Sequence, residues 1–184
     1  IGVGAFADCT GLTEVSIPEH VTAIAAWTFA NCYGLTKVTI PASVTGIGKE
    51  AFLSCRGLEE MTIPGSTAVI DEGTFANCVS LKKVTIDEGV SRVEDSAFVG
   101  CKALTEIVFP GSVTHIGNGV LDGCEALTAI TLPKSLTSIG VFSFERCPKV
   151  TDIYYQGTRE DWEKVQNHQF IESEIEYRRG KGRT

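Results

Sequence analysis

Apolar residues return at one spacing from end to end of this chain. Ile1, Ile24, Ile47, Ile70, Val93, Ile116 and Ile139 stand 23 residues apart, with no insertion or deletion between them. Phe6, Phe29, Phe52, Phe75, Phe98, Leu121 and Phe144 form a second column, and Leu12, Leu35, Leu58, Leu81, Leu104, Leu127 and Val150 a third. Further columns begin at Val15 and Ile17. A unit this short cannot bury its own apolar side. Stacked on its neighbours, it joins the columns into continuous spines of one elongated core.

Within the unit, Leu12-x-x-Val15-x-Ile17 closes in the period-two alternation of a half-buried strand. Pro18 and its counterparts Pro41, Pro64, Pro110 and Pro133 then stop it. Val21-x-x-Ile24 predicts a second short extended segment. The Gly-x-x-Ala-Phe-x-x-Cys stretch is too short for a helix of its own and predicts a helical or 3₁₀ turn. Strands stacked at about 4.8 Å would make an array roughly 30–35 Å long. Asp87 in place of proline, Leu121 in place of phenylalanine and Thr67 in place of an inner valine are local softenings of the pattern.

The period ends after Gly157, which divides the chain into an array over 1–157 and a cap over 158–184. Thr158-Arg-Glu-Asp161 has the form of a capping box. It predicts a helix through about Gln166, with Trp162 and Val165 on the face that shields the last repeat. Ile171-x-x-x-Ile175-x-Tyr177 reads as a final strand, followed by a basic, frayed tail from Arg178 to Thr184. The first repeat carries no comparable cap. An uncovered end predicts weak self-association through that repeat, and an opening in mid-pattern at Ile1 reads as a fragment, with no signal peptide in view.

The seven in-phase copies of A-F-x-x-C-x-x-L-x-x-V-x-I-P over residues 1–158 resemble the BspA-like, or treponemal, class of leucine-rich repeats found in bacterial surface proteins. Tyr154-Tyr155-x-Gly157-Thr158-x-x-x-Trp162 resembles the closing segment of such arrays. The resemblance implies a leucine-rich-repeat solenoid, an α/β repeat rich in β. Its form would be a right-handed superhelix of seven 23-residue repeats with a parallel sheet on one face and a C-terminal cap. It also implies adhesion, an extracellular or cell-surface location, and a host, matrix or other cell-surface protein as ligand. The identity of that partner does not follow from it.

Composition narrows the chemistry. A hydrophobic content of 43% with 21% charged residues belongs to a folded protein. The net charge of −7 argues against a nucleic-acid partner, and no apolar run approaches the roughly 20 residues of a membrane-spanning helix. Seven cysteines at Cys9, Cys32, Cys55, Cys78, Cys101, Cys124 and Cys147 repeat at the same 23 residues. Stacked side chains hold their Cβ atoms near 5 Å, beyond the roughly 3.8 Å a disulfide prefers. They are expected to be reduced and buried. His20, His115 and His168 are scattered, so no metal or cofactor is expected. No phosphate loop or nucleophile elbow occurs, and an approach of His115 to Glu94 across coils is read as non-catalytic. An enzyme is not expected.

Three sets of residues are candidates for binding. Glu14, Lys37, Glu60, Lys83 and Glu106 alternate in sign one position before the strand valine, and would each meet an opposite charge on both sides. This ladder keeps register or, with the column that ends at Tyr154, forms a ligand-facing sheet. Asp71, Glu72, Glu94 and Asp95 occupy equivalent corners with no expected basic neighbour, so a basic partner would be steered there. Trp27, Tyr33 and Phe142 stand where other repeats carry small or charged residues, and are expected to be exposed anchors. The function expected is a non-enzymatic protein-binding or adhesion module. The alternative is a structural spacer or carbohydrate-binding segment of a larger surface protein.

Overall fold

The computed structural model describes residues 1–170 and 175–177. Its strands in chain order begin with β1 (Glu14–Ser16), β2 (Ala23–Ile24), β3 (Lys37–Thr39), β4 (Gly46–Ile47), β5 (Glu60–Ile63), β6 (Val69–Ile70) and β7 (Lys83–Ile86). They continue with β8 (Arg92–Val93), β9 (Glu106–Val108), β10 (His115–Ile116), β11 (Ala129–Leu132), β12 (Ser138–Ile139), β13 (Asp152–Tyr155) and β14 (Ile175–Tyr177). The long, odd-numbered strands stack on one side of a parallel β-solenoid and the two-residue strands on another. Six complete turns separate β1 from β13. Equivalent residues 23 apart pair directly, Val15 with Val38 and Ile107 with Ile130 among them.

The period-two alternation holds in the strands. In β7, Lys83 and Thr85 face outward while Val84 and Ile86 turn to the core. Strands β1, β3, β5, β9 and β11 run into the corner proline, whose carbonyl accepts an amide three residues on, as Pro41 does from Val44 at 3.0 Å. Asp87 accepts from Val90 in the same way, so the corner survives without proline. Leu121, fully buried, likewise keeps its place in the phenylalanine column.

The third side corrects the expectation of helical turns, since no helix forms there. Trp27, Phe29 and Asn31 donate their amides to the next coil, at Lys49, Ala51 and Leu53, while Thr28, Ala30 and Cys32 close turns onto the residue three before. Every second amide is thus taken by a neighbouring coil, and a helical ladder cannot propagate. The winding needs left-handed backbone at two positions per coil. One column is Gly4, Trp27, Glu50, Gly73, Ser96, Gly119 and Phe142; the other is Asp8, Asn31, Ser54, Asn77, Gly100, Gly123 and Arg146.

Behind this turn side the rings of Phe6, Phe29, Phe52, Phe75 and Phe98 stack at 5.3 to 5.5 Å. Beside them, each thiol from Cys32 to Cys147 donates to the carbonyl of the aromatic or leucine of the previous coil, at 3.1 to 3.4 Å. All seven cysteines are free. Burial pushes the thiols of Cys32, Cys55, Cys101 and Cys124 above their ordinary range and that of Cys78 up to about 12. Two depart from the expected burial: Cys9 is exposed and Cys147 half-buried. On the first coil Phe6, at the end of its column, is also 42% exposed.

At the other end Thr158 and Asp161 cap one another as their spacing predicts. The helix they start, α1 (Arg159–Trp162), is shorter than expected. Gln166 turns back to the edge of β12, taking an amide from Ile139 and giving its own to Thr137, which withdraws it from any helix. Trp162 is fully buried, edge-on to Tyr155 at 5.1 Å, with Val165 buried beside it. β14 adds to β13 in parallel. Ile171 and the tail from Arg178 lie outside the described residues.

Candidate interaction surfaces

The structure distributes the candidate residues over different sides of the coil. Glu14, Lys37, Glu60, Lys83 and Glu106 project from the long strands, with Val108 52% exposed among them and Tyr154 half-buried. Their expected ladder does not form. Only Lys37 and Glu14 pair, at 2.9 Å, among the described residues, and that contact holds the Lys37 ammonium above its ordinary pKa. Two physical reasons account for it. The long strands fall into separate sheets, β1–β3, β5–β7 and β9–β11–β13–β14, so the column is interrupted twice. Exposed pairs also contribute little over hydration, and such side chains stay solvated. Pairing moves instead to neighbouring columns, Lys82 with Glu59 at 2.8 Å and Lys102 with Glu125 at 2.7 Å.

Tyr33 lies at the corner before the long strands, 42% exposed, with the Arg56 guanidinium 4.8 Å above its ring. Trp27 and Phe142 share the turn side, on one left-handed column five coils apart. Trp27 is 43% exposed at a φ of 56°, and Phe142 65% exposed at 59°. For a side chain of that size such backbone costs about 1–2 kcal/mol. The Trp27 indole N–H donates to Glu50 Oε2 at 2.9 Å, and Lys49 stands between Glu50 and Glu72, at 3.9 and 2.9 Å. The ring is therefore held outward by a chain of charges.

The acidic corners are better compensated than expected. Lys49, one coil before Glu72, is the basic neighbour held to be missing; Arg92 Nε meets Glu94 Oε1 at 2.7 Å. Asp95 takes the backbone and side-chain N–H groups of Asn118, at 2.7 and 3.1 Å, and Asp71 the amide of Glu72. What survives is a field along the whole turn side. Its segments carry Asp8, Glu50, Asp71, Glu72, Glu94, Asp95, Asp122 and Glu145 against Lys49 and Arg146 alone, which is −6 of a net −7.

His115 does reach Glu94, with Nε2 3.8 Å from Oε2, while Nδ1 lies 2.6 Å from Ser138 Oγ. The amides of Ser138, Ile139 and Gly140 all donate within the fold, so none is free to hold an oxyanion beside that hydroxyl. No cluster of metal-ligating side chains occurs among the described residues, and no described helix is long and apolar enough to cross a membrane.

The sequence matches the BspA type leucine-rich-repeat region in six copies, over residues 1–105 and 68–178. No curated protein matches it. Among solved structures, a leucine-rich-repeat protein of T. pallidum is 26% identical with a TM-score of 0.59, over 77% of this chain and 62% of that one. A leucine-rich cell surface protein of Faecalibacterium prausnitzii is 24% identical with a TM-score of 0.54, over 89% of this chain and 65% of that one. The chain thus spans less than two thirds of either relative.

Proposed function

Because this chain belongs to the BspA-type leucine-rich-repeat family, whose fold is a protein-interaction scaffold, we propose that it is a non-enzymatic binding module of a bacterial surface protein. Residues 1–157 act as the binding array and 158–184 as its cap. The observation that carries this reading is Trp27, a large aromatic kept exposed on left-handed backbone and tied to Glu50. Strain of that kind, retained where glycine would relieve it, is the signature of a functional position. Tryptophan is also among the residues enriched at interface hot spots. Around it the acidic turn side steers a protein partner with a basic surface.

A panel of purified matrix and cell-surface proteins, passed over the immobilised chain at two salt concentrations, tests the proposal. A true partner binds the wild type, dissociates faster from Trp27→Ala, and associates more slowly when Asp71, Glu72, Glu94 and Asp95 are neutralised or when salt rises. Binding to every variant at equal rates would remove the turn side from the function.

A further inference from the structure

One junction between coils is built differently from its neighbours. Where the coil of β3 and β4 meets that of β5 and β6, the turn side is closed by the amides of Trp27, Phe29 and Asn31, at 2.7 to 3.1 Å. The long-strand side is open, while the corner beyond it is tied by the Ser66 and Thr67 hydroxyls, which donate to the Val44 carbonyl at 2.7 and 3.1 Å. β3 and β5 belong to different sheets. The bonds that Thr36 makes to Thr13, and Ile17 to Thr39, one coil earlier have no counterpart here among the described residues, leaving the Thr36 and Thr62 carbonyls and the Ile40 and Glu59 amides unpaired. On the short-strand side β4 and β6 share only the Ile47–Ile70 pair. The stacked rings agree: Phe29 and Phe52 are inclined by 13°, against 4° or 5° in the other stacked pairs. The junction is therefore held at the turn side, at the Val44 corner and by one short-strand pair, with the facing edges of β3 and β5 left unpaired.

A cleft of 690 Å³ lies along β3 and β5 and a smaller one of 330 Å³ along β4 and β6. The larger has an apolar floor of Val38 and Met61, both turned to the core. Charges on its rims pair away from it, Lys37 with Glu14 and Glu59 with Lys82. Glu60, one repeat on from Lys37 and opposite Lys83 in register, has no cation within ion-pair distance among the described residues.

We propose that the β3–β5 cleft docks an extended peptide segment of a partner, one bearing a basic side chain to meet Glu60. Main-chain groups of the peptide pair with the free carbonyls of Thr36 and Thr62 and the free amides of Ile40 and Glu59, and alternate side chains reach Val38 and Met61. This is strand addition, in which the backbone provides affinity and the side-chain pockets selectivity. A strand seated between β3 and β5 sets them about 9.6 Å apart, which requires the corner bonds of Ser66 and Thr67 to Val44 to give way. Trp27 takes no part, so the cleft stands or falls independently of the turn-side surface.

The test is residue-resolved hydrogen exchange on the whole chain, with a blocked synthetic peptide copying Leu81–Asp87. That stretch pairs with the closed edge of β5, where Lys83 stands opposite Glu60. The Ile40 and Glu59 amides should exchange about tenfold or more faster than that of Lys82, which is bonded to Glu59 at 2.8 Å. The peptide should slow both. Glu60→Lys, checked for an unchanged circular-dichroism spectrum, should weaken that protection about threefold or more, and Trp27→Ala should leave it intact. Amides at Ile40 and Glu59 as slow as Lys82 before any addition mean a closed junction and overturn the proposal. Fast amides indifferent to the peptide overturn it too. Slowing with protein concentration alone would assign the cleft to a second copy of the chain and not to a partner peptide.

Discussion

The turn side and the long-strand side of this solenoid contain equal numbers of repeats and hold together by different means. On the turn side backbone bonds pass from coil to coil without a break, beside a ring stack and a file of thiols. On the long-strand side the sheet is interrupted twice, and most of the alternating charges stay unpaired. In a repeat named for its leucines, unbroken coil-to-coil cohesion therefore resides along the aromatic and cysteine columns. Because contacts are nearest-neighbour, an interruption on one side is tolerated where another bridges the same junction.

The largest expected effect tests that contrast directly. Phe75→Ala, in the middle of the ring stack and fully buried, should cost about 3–5 kcal/mol in urea unfolding. Met61→Ala, beside the open cleft where water can enter the space vacated, should fall at the lower end of its class, about 2 kcal/mol. Equal costs would dissolve the distinction between the sides. Trp162→Ala should cost about 3 kcal/mol, and exchange should quicken first in the last coils. Trp162→Phe should cost less, since the indole N–H has no partner among the described residues.

Next in size is an alkaline effect. A thiol whose folded pKa is raised keeps its proton in the folded state while the unfolded chain loses it. Its contribution is complete below the ordinary thiol value of 9.0 and is lost as pH climbs toward about 12 for Cys78. Stability should fall over that window, and Cys78→Ala should flatten the fall by about 1.4 kcal/mol per pH unit. An unchanged slope would mean that the thiols are not buried as a file. The smallest effect has the opposite sign: Trp27→Gly should stabilise by up to about 1 kcal/mol through relief of left-handed strain, while weakening partner binding. A loss of stability would show that the indole packs as structure, and would remove the main support for its role as an anchor.

The repeat, its five apolar columns and the capping box at Thr158 were legible because each depends on which residue recurs at which spacing. Exposure of Trp27, Tyr33 and Phe142 was legible for the same reason, from their place in columns of small or charged residues. The helical reading of the Gly-x-x-Ala-Phe segments failed although a signal was present. Asp8, Asn31, Ser54, Asn77, Gly100 and Gly123 form a column of residues suited to left-handed backbone, which a helix interior would not select. The paired charges misled in both directions. Lys49 lies in the column of Glu72, within sight of the sequence, whereas Arg92 finds Glu94 two residues away only because both emerge on the same side of a short strand.

By itself, then, the sequence determined the period, the spines of the core, the unbridged state of the stacked cysteines and the exposure of three aromatics. Those properties follow from side-chain type repeated in register, and every coil votes for the same answer. Only the tertiary structure decided which charges meet, where the helix after Thr158 stops, and that β3 and β5 stay unpaired. These depend on balances of about 1 kcal/mol or less between solvation, backbone pairing and ring packing, and a pattern of residue types does not resolve differences of that size.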